Sequence, residues 1–326
     1  MSMNVQRPWR RKPGTQTAAA VPTAGAPLPL RYMFLLGVLV VAATSFGLLT
    51  EDAYRSVSAL TRSTWRAQDI VTLGSVPLLL WASARARSGS LTAHVASVGV
   101  LTWLTYCYAH QAIGVPFNAM FLVYVAILGL AGFATIDGLV RIDVVAVAPA
   151  FTRAPYRAGF WFLTVASVGI AGLWLSDIVP ALPGGLPANL HLAELPNPTW
   201  VLDLAWIIPS ALAGAWMLRR RHPAGPIVSG VMLVMLLILS VAMLTVTPVA
   251  LLDGLGSNPD VRPQLIAFTV IFTVLGSVEA LLLATTRNRF GTSPNQWMRP
   301  GWWPRQDSST PLAHERSATA AAKRRS

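Results

Sequence analysis

The stretch PIVSGVMLVMLLILSVAMLTVTP, Pro226 to Pro248, runs for twenty-three residues without a charge. A helix rises 1.5 Å per residue, so about 20 apolar residues cross the hydrocarbon layer of a bilayer. This stretch alone therefore predicts a membrane-spanning helix. Working outward, seven more candidates appear at 32–50, 67–84, 91–112, 115–136, 159–179, 199–218 and 264–286. The expected fold is all-α: a polytopic integral membrane helical bundle of about eight transmembrane helices. The composition agrees, with 54% hydrophobic and 12% charged residues, where soluble domains carry about 25% charged. An ordinary soluble globule and a disordered chain are both excluded.

The segment 67–84 is the weakest. Only fifteen residues separate Asp69 from Arg85, and Pro77 interrupts them. Proline is tolerated in membrane helices because neighbours re-satisfy the freed carbonyl. Charge placement tests the count. With both ends inside, cytoplasmic segments hold 21 basic residues and outer ones 4. Seven helices, with the second deleted and the N-terminus outside, give 19 against 6. Both counts obey the positive-inside rule, and eight keeps the basic N-terminal tail inside. The expected location is a cell membrane, with both termini cytoplasmic.

Residues 1–30 read as a disordered basic cytoplasmic tail, because they are rich in Pro, Ala, Gly and Thr around Arg7, Arg10, Arg11 and Lys12. The first apolar run is too long for a signal-peptide core and reads as a retained anchor. Residues 31–287 form the bundle. Residues 288–326 form a second basic tail containing Trp297, Trp302, Trp303, Arg299 and Arg305, which suits the headgroup layer. The expected partners are the bilayer and anionic lipid at the cytoplasmic face, and not nucleic acid. The loop near 180–198 has no basic residue and five prolines, and is expected to lie on the outer face.

The halves 31–137 and 157–287 can be aligned as a repeat. Glu51 follows Arg31 by twenty residues, and Asp177 follows Arg157 by twenty. Asp69, Pro77 and Arg85 match Asp203, Pro209 and Arg219, with sixteen residues from acid to arginine in each. Four helices per half would make this a parallel repeat, although topology alone also places arginine inside and acid outside.

Several chemistries are ruled out. The two lysines, Lys12 and Lys323, follow no glycine-rich phosphate loop and lie outside the apolar segments, which removes a retinal Schiff base. The single cysteine, Cys107, forms no internal disulfide or thiolate cluster. His94 and His110 lie sixteen residues apart on one helix, too far in depth to share a haem iron. No cofactor and no metal are expected.

A charged group inside the bilayer is costly, which makes each one a functional candidate. Glu279 lies two-thirds along the last helix. Its carboxyl must be protonated or paired, and it is a proton-relay candidate. Asp69 and Asp203 read as helix-end acids that cap inward-running helices, where the dipole favours an anion. Glu51 and Asp177 end outward-running helices and need another reason. Eight outer acids against four basic residues leave that face near −4, which attracts cations. Thr102, Tyr106 and His110 recur at i, i+4 and i+8 on one helix face. With Tyr108, Gln111 and Asn118 they are either belt packing or the floor of an outward-facing pocket. Glu279, Asp177, His110 and Asn118 are thus the transport candidates. Gly129, Gly132, Gly169 and Gly172 are expected to let helices approach closely. Asp137 and Arg141, at i and i+4, read as a surface ion pair.

Gln68-Asp69 with Val76 to Leu80 and Arg87 to Leu91, Tyr106–Gly114 running into Phe117–Ala126, and Val201–Leu204 with Pro209 and Arg219–Arg221 together resemble a group of bacterial multi-pass membrane proteins without an assigned activity. The resemblance covers roughly 65–140 and 198–240. It implies a polytopic membrane fold and nothing about chemistry. An Ala- and Arg-rich, Lys-poor composition fits a bacterium with a GC-rich genome. Three functional classes stay open. One is a small-solute or proton-coupled transporter or permease. Another is a non-catalytic sensor or assembly partner acting through its tail. The third is an enzyme of lipid substrates.

Overall fold

The computed structural model describes residues 28–55, 57–147, 154–185, 187 and 197–287. The two predicted tails lie almost wholly outside these residues, as does most of the loop near 180–198. Among the described residues there are eight long helices and no strand: α1 Leu30–Leu49, α2 Ala59–Arg87, α3 Leu91–Gly114, α4 Phe121–Val140, α5 Tyr156–Ile178, α6 Pro198–Arg219, α7 Gly225–Leu252 and α8 Arg262–Arg287. All but α2 and α3 are long and apolar enough to cross a membrane. Six such helices mark the chain as a helical membrane protein.

Helices α2 and α3 fall short in hydropathy, not in length. Their polar side chains turn into the protein. α2 buries Ser63, Gln68, Asp69, Thr72, Ser75 and Ser83, and α3 is buried along nearly its whole length. A helix like α3, buried nearly all round, needs no lipid-compatible face, whereas α2 turns its polar groups inward and leaves Ile70, Leu78 and Trp81 exposed.

Three expectations need correction. Helix α2 starts at Ala59, not near residue 67. The Ser58 Oγ caps it by accepting the Thr61 N–H at 3.2 Å. Asp69 is therefore three turns inside the helix and caps nothing. Helix α2 also runs unbroken through Pro77. Around Pro209 the chain instead widens into a π-helical turn, Asp203–Ile207, where the Ile208 N–H reaches the Asp203 carbonyl five residues back. Proline lacks the N–H that would close the ordinary turn, so the ladder slips by one residue. Asp203 lies within α6, not at its start. Thirdly, Gly129, Gly169 and Gly172 have no neighbour within 4 Å of an added Cβ, and only Gly132, at 3.4 Å from Thr105, makes the expected approach.

In the first half, α1 packs on α2 and α4, and α3 packs on the same two, closing a square. In the second, α5 packs on α6, α6 on α7, α7 on α8, and a slight α5–α8 contact closes a looser square. The halves meet where α7 lies against α2 and α3, and where the first turn of α6 reaches α3. The closest approaches are Gly99 to Val234, where a Cβ would stand 2.5 Å from the valine Cβ, and Gly230 to Val95, at 3.0 Å. Each pair is 135 residues apart in sequence. Asp69 and Asp203, Arg85 and Arg219, and the starts of α3 and α7 are 134 apart. α3 and α7 thus run parallel and in step. The core between them includes Leu36, Leu79, Trp103, Leu104, Ile127 and Met235, all fully buried.

The connections α2–α3, α4–α5 and α6–α7 share one end of the bundle, here the basic end. There Arg219 lies over Phe160, Arg220 over Trp216 and Arg221 over Tyr156, at 5.3 to 5.6 Å. Stacked arginine at a helix end suits a water–membrane boundary. At the opposite, acidic end, Asp253 after α7 accepts from Arg66 Nη1 and from the Ser63 Oγ of α2, both at 2.6 Å.

Candidate functional site

Helix α3 carries the site. Near its acidic end, successive side chains diverge to two flanks, because residues three to four apart share a face and residues one apart do not. Tyr106 and His110 turn to the second half. Cys107 and Gln111 turn to α2 and the α1–α2 connection.

On the second-half flank, Asp203 is buried in the π-helical turn of α6. Its Oδ1 accepts the Tyr106 hydroxyl at 2.9 Å and its Oδ2 accepts the Trp174 Nε1–H of α5, also at 2.9 Å. The extra residue of the π turn sets the carboxyl between α3 and α5. The His110 ring stands 4.9 Å from the Tyr106 ring, and both of its nitrogens are buried without a hydrogen-bond partner among the described residues.

On the other flank, Asp69 is buried against Gly47 of α1. Its Oδ2 accepts the Tyr54 hydroxyl at 2.6 Å, and Gln111 Nε2 donates to that hydroxyl at 3.4 Å. Tyr54 lies in the short connection after α1 and stacks on Trp65 at 5.1 Å. Burial first, then the neighbouring Asp69, raise the Tyr54 pKa well above the ordinary phenol range, so its hydroxyl stays a donor. One turn deeper, Trp103 Nε1 donates to Thr72 Oγ1 at 3.2 Å, and Thr72 lies 3.5 Å from Cys107 Sγ. The Oε1 atoms of Gln68 and Gln111 are buried and have no hydrogen-bond partner among the described residues.

Two aspartates, 134 residues apart, are therefore held in the same manner. Each is a buried carboxyl bound by a tyrosine hydroxyl, and neither has an ion pair among the described residues. Such a carboxyl takes up or releases one charge with no fixed cation to cancel it.

The other candidates lie apart. Glu279 of α8 is buried, and its Oε2 accepts the Ser240 hydroxyl of α7 at 2.8 Å. Asn118 serves the α3–α4 connection: its Oδ1 accepts the Met120 N–H at 2.9 Å and its amide lies 3.5 Å from the Tyr124 hydroxyl. Asp177 is half-buried, one turn beyond Trp174. His94 Nε2 bonds the Gly138 carbonyl of α4 at 2.9 Å, near the basic end. The four residues Glu279, His94, Asp177 and His110 thus share no cavity. Thr102 bonds its own helix at Val98. Asp137 and Arg141 form the i, i+4 pair, at 2.8 Å through Nη2. The Trp297–Arg305 stretch is outside the described residues. Among the described residues no cluster of His, Cys, Asp or Glu is arranged to hold a metal.

Sequence reading missed Tyr54, Trp174 and Ser240. No spacing signal ties any of them to its acid, because each partner sits on another segment. No family model matches the chain, and neither a curated protein nor a solved structure matches it.

Proposed function

We propose that this protein is a small-solute carrier of a bacterial cell membrane, with eight spans, both termini cytoplasmic, and transport coupled to protons at Asp203 and Asp69. The observation that carries the reading is Asp203: buried, bound by Tyr106 and Trp174, with no ion pair among the described residues, and backed by a buried His110 whose nitrogens have no partner. A group in that setting changes its partners when it changes its proton, which is what coupling requires.

Several features support the wider reading. Helices α2 and α3 are about 43 and 36 Å long at 1.5 Å per residue, and both pack along α7, which is apolar enough to span. The basic end carries Arg85, Arg87, Arg141, Arg157 and Arg219–Arg221, which fits the cytoplasmic side. The common register of α3 and α7 and the matched aspartates support a parallel repeat of two four-helix units, with the site at their junction.

The test uses the full chain in liposomes loaded with a pH-sensitive dye, under an imposed potential, across a panel of small solutes. The wild type should acidify the lumen with at least one solute. Asp203→Asn should lower that flux at least tenfold, and Asp69→Asn less. No solute-dependent flux above empty liposomes, or Asp203→Asn equal to wild type, refutes the reading.

A further inference from the structure

The basic end holds a feature that the aspartates do not touch. A cleft of about 650 Å³ opens there between the halves, lined by α2, α3, α7 and α8 and by the entry to α5. Its walls are apolar or small: Trp81 and Ala96 on one side, Leu237, Ala280 and Ala284 on the other. It ends at Leu237 and Ala280, next to the Ser240–Glu279 pair.

The mouth is of opposite character. The exposed Arg85 stands on its rim. Three long helices begin there, α3 behind Ser90, α5 behind Pro155 and α7 at Pro226, and each contributes a residue to the lining. None of the three has an acid in its first turn. Their positive dipole ends therefore meet at the mouth without an acid in the first turn to neutralise them, which favours an anion.

We propose that this cleft is a binding site for one anionic phospholipid of the cytoplasmic leaflet, with an acyl chain between α3 and α8 and its phosphate at Arg85 and the helix starts. Charge complementarity selects this occupant. An apolar slot under a cationic rim fits an anionic amphiphile, whereas a neutral lipid gains nothing from the rim. The site is independent of proton coupling, and Asp203→Asn should keep it.

The experiment is native mass spectrometry of the full chain, delipidated in detergent and titrated with phosphatidylglycerol or phosphatidylcholine of the same acyl chains. The wild type should retain one phosphatidylglycerol about fivefold more tightly than phosphatidylcholine, the effect of about one cationic contact. Arg85→Gln should bring the two lipids to parity. Ala284→Phe, which fills the cleft from an exposed position on α8, should abolish retention with the melting temperature unchanged. Equal binding of both lipids by wild type overturns the proposal, as does retention by a folded Ala284→Phe protein. Displacement of the lipid by inorganic phosphate alone also overturns it, as does lipid binding that appears only when 288–326 is deleted. If Ala284→Phe fails to fold, a wild-type photo-crosslink from a phosphatidylglycerol with a benzophenone acyl end decides. Labelling of α7 or α8 near Leu237 supports the site, and labelling elsewhere overturns it.

Discussion

Gly47→Ala is the sharpest probe of how the bundle holds Asp69. Gly47 is in the last turn of α1, and a Cβ there would overlap Asp69 Oδ2 outright, stand 2.6 Å from the Tyr54 hydroxyl and 3.0 Å from Asp69 Cγ. The carboxyl must move, and moving it breaks the 2.6 Å bond from Tyr54. Overpacking costs about 1–3 kcal/mol and losing a hydrogen bond to an ionisable group about 1.5–3, against a gain of about 1 from replacing a helical glycine. The expected net loss is about 1.5–5 kcal/mol, roughly 2–7 °C of melting temperature for a chain of this size. Thermal unfolding in detergent measures it. Gly74→Ala on α2 is the control, since nothing lies within 4 Å of its added Cβ. It should be neutral or slightly stabilising. In an Asp69→Ala background the penalty of Gly47→Ala should fall, because the carboxyl overlap is gone and Tyr54, freed of its acceptor, is the one close contact left to shift. A Gly47→Ala protein as stable as wild type refutes the packing argument. So does a penalty undiminished by Asp69→Ala, which would place the strain elsewhere in α1.

Tyr106→Phe removes one of the two donors to Asp203 and should cost about 1–3 kcal/mol; combined with Trp174→Phe the loss should exceed the sum, measured by a double-mutant cycle. Additive losses would mean that the two donors do not share the carboxyl. Ser240→Ala should destabilise by about 1–3 kcal/mol by stripping Glu279 of its donor, whereas Glu279→Gln keeps an oxygen for Ser240 and should stay within about 1 kcal/mol. Melting curves in the reverse order would show that Glu279 is held by something else. Gly99→Ala meets Val234 at 2.5 Å and the Val231 carbonyl at 3.1 Å, while Gly230→Ala meets only a valine methyl at 3.0 Å. The first should therefore cost about 1–3 kcal/mol and the second less, on the same assay. Equal stability would mean that α3 and α7 are not packed this closely.

The membrane class and the positions of six long apolar helices were legible in the sequence, because twenty consecutive apolar residues are a local property that no packing can hide. The orientation expected from arginine placement is of the same kind. The limits of α3 were legible too, whereas those of α2 were less so. Helix α2 carries Arg62, Arg66 and Asp69 in its first turns, so hydropathy starts it eight residues late; in the structure Arg62 is exposed, Arg66 pairs with Asp253, and Asp69 is buried against α1. Asp69 read as a cap for that reason. The tertiary structure alone decided which group each acid meets. Tyr54 is fifteen residues from Asp69, Tyr106 is ninety-seven from Asp203, and Ser240 is thirty-nine from Glu279. Such pairings depend on how far each helix is rotated and shifted against its neighbour. In an apolar bundle the sequence places few polar groups to mark those faces, so rotation and register are set by packing over many side chains at once.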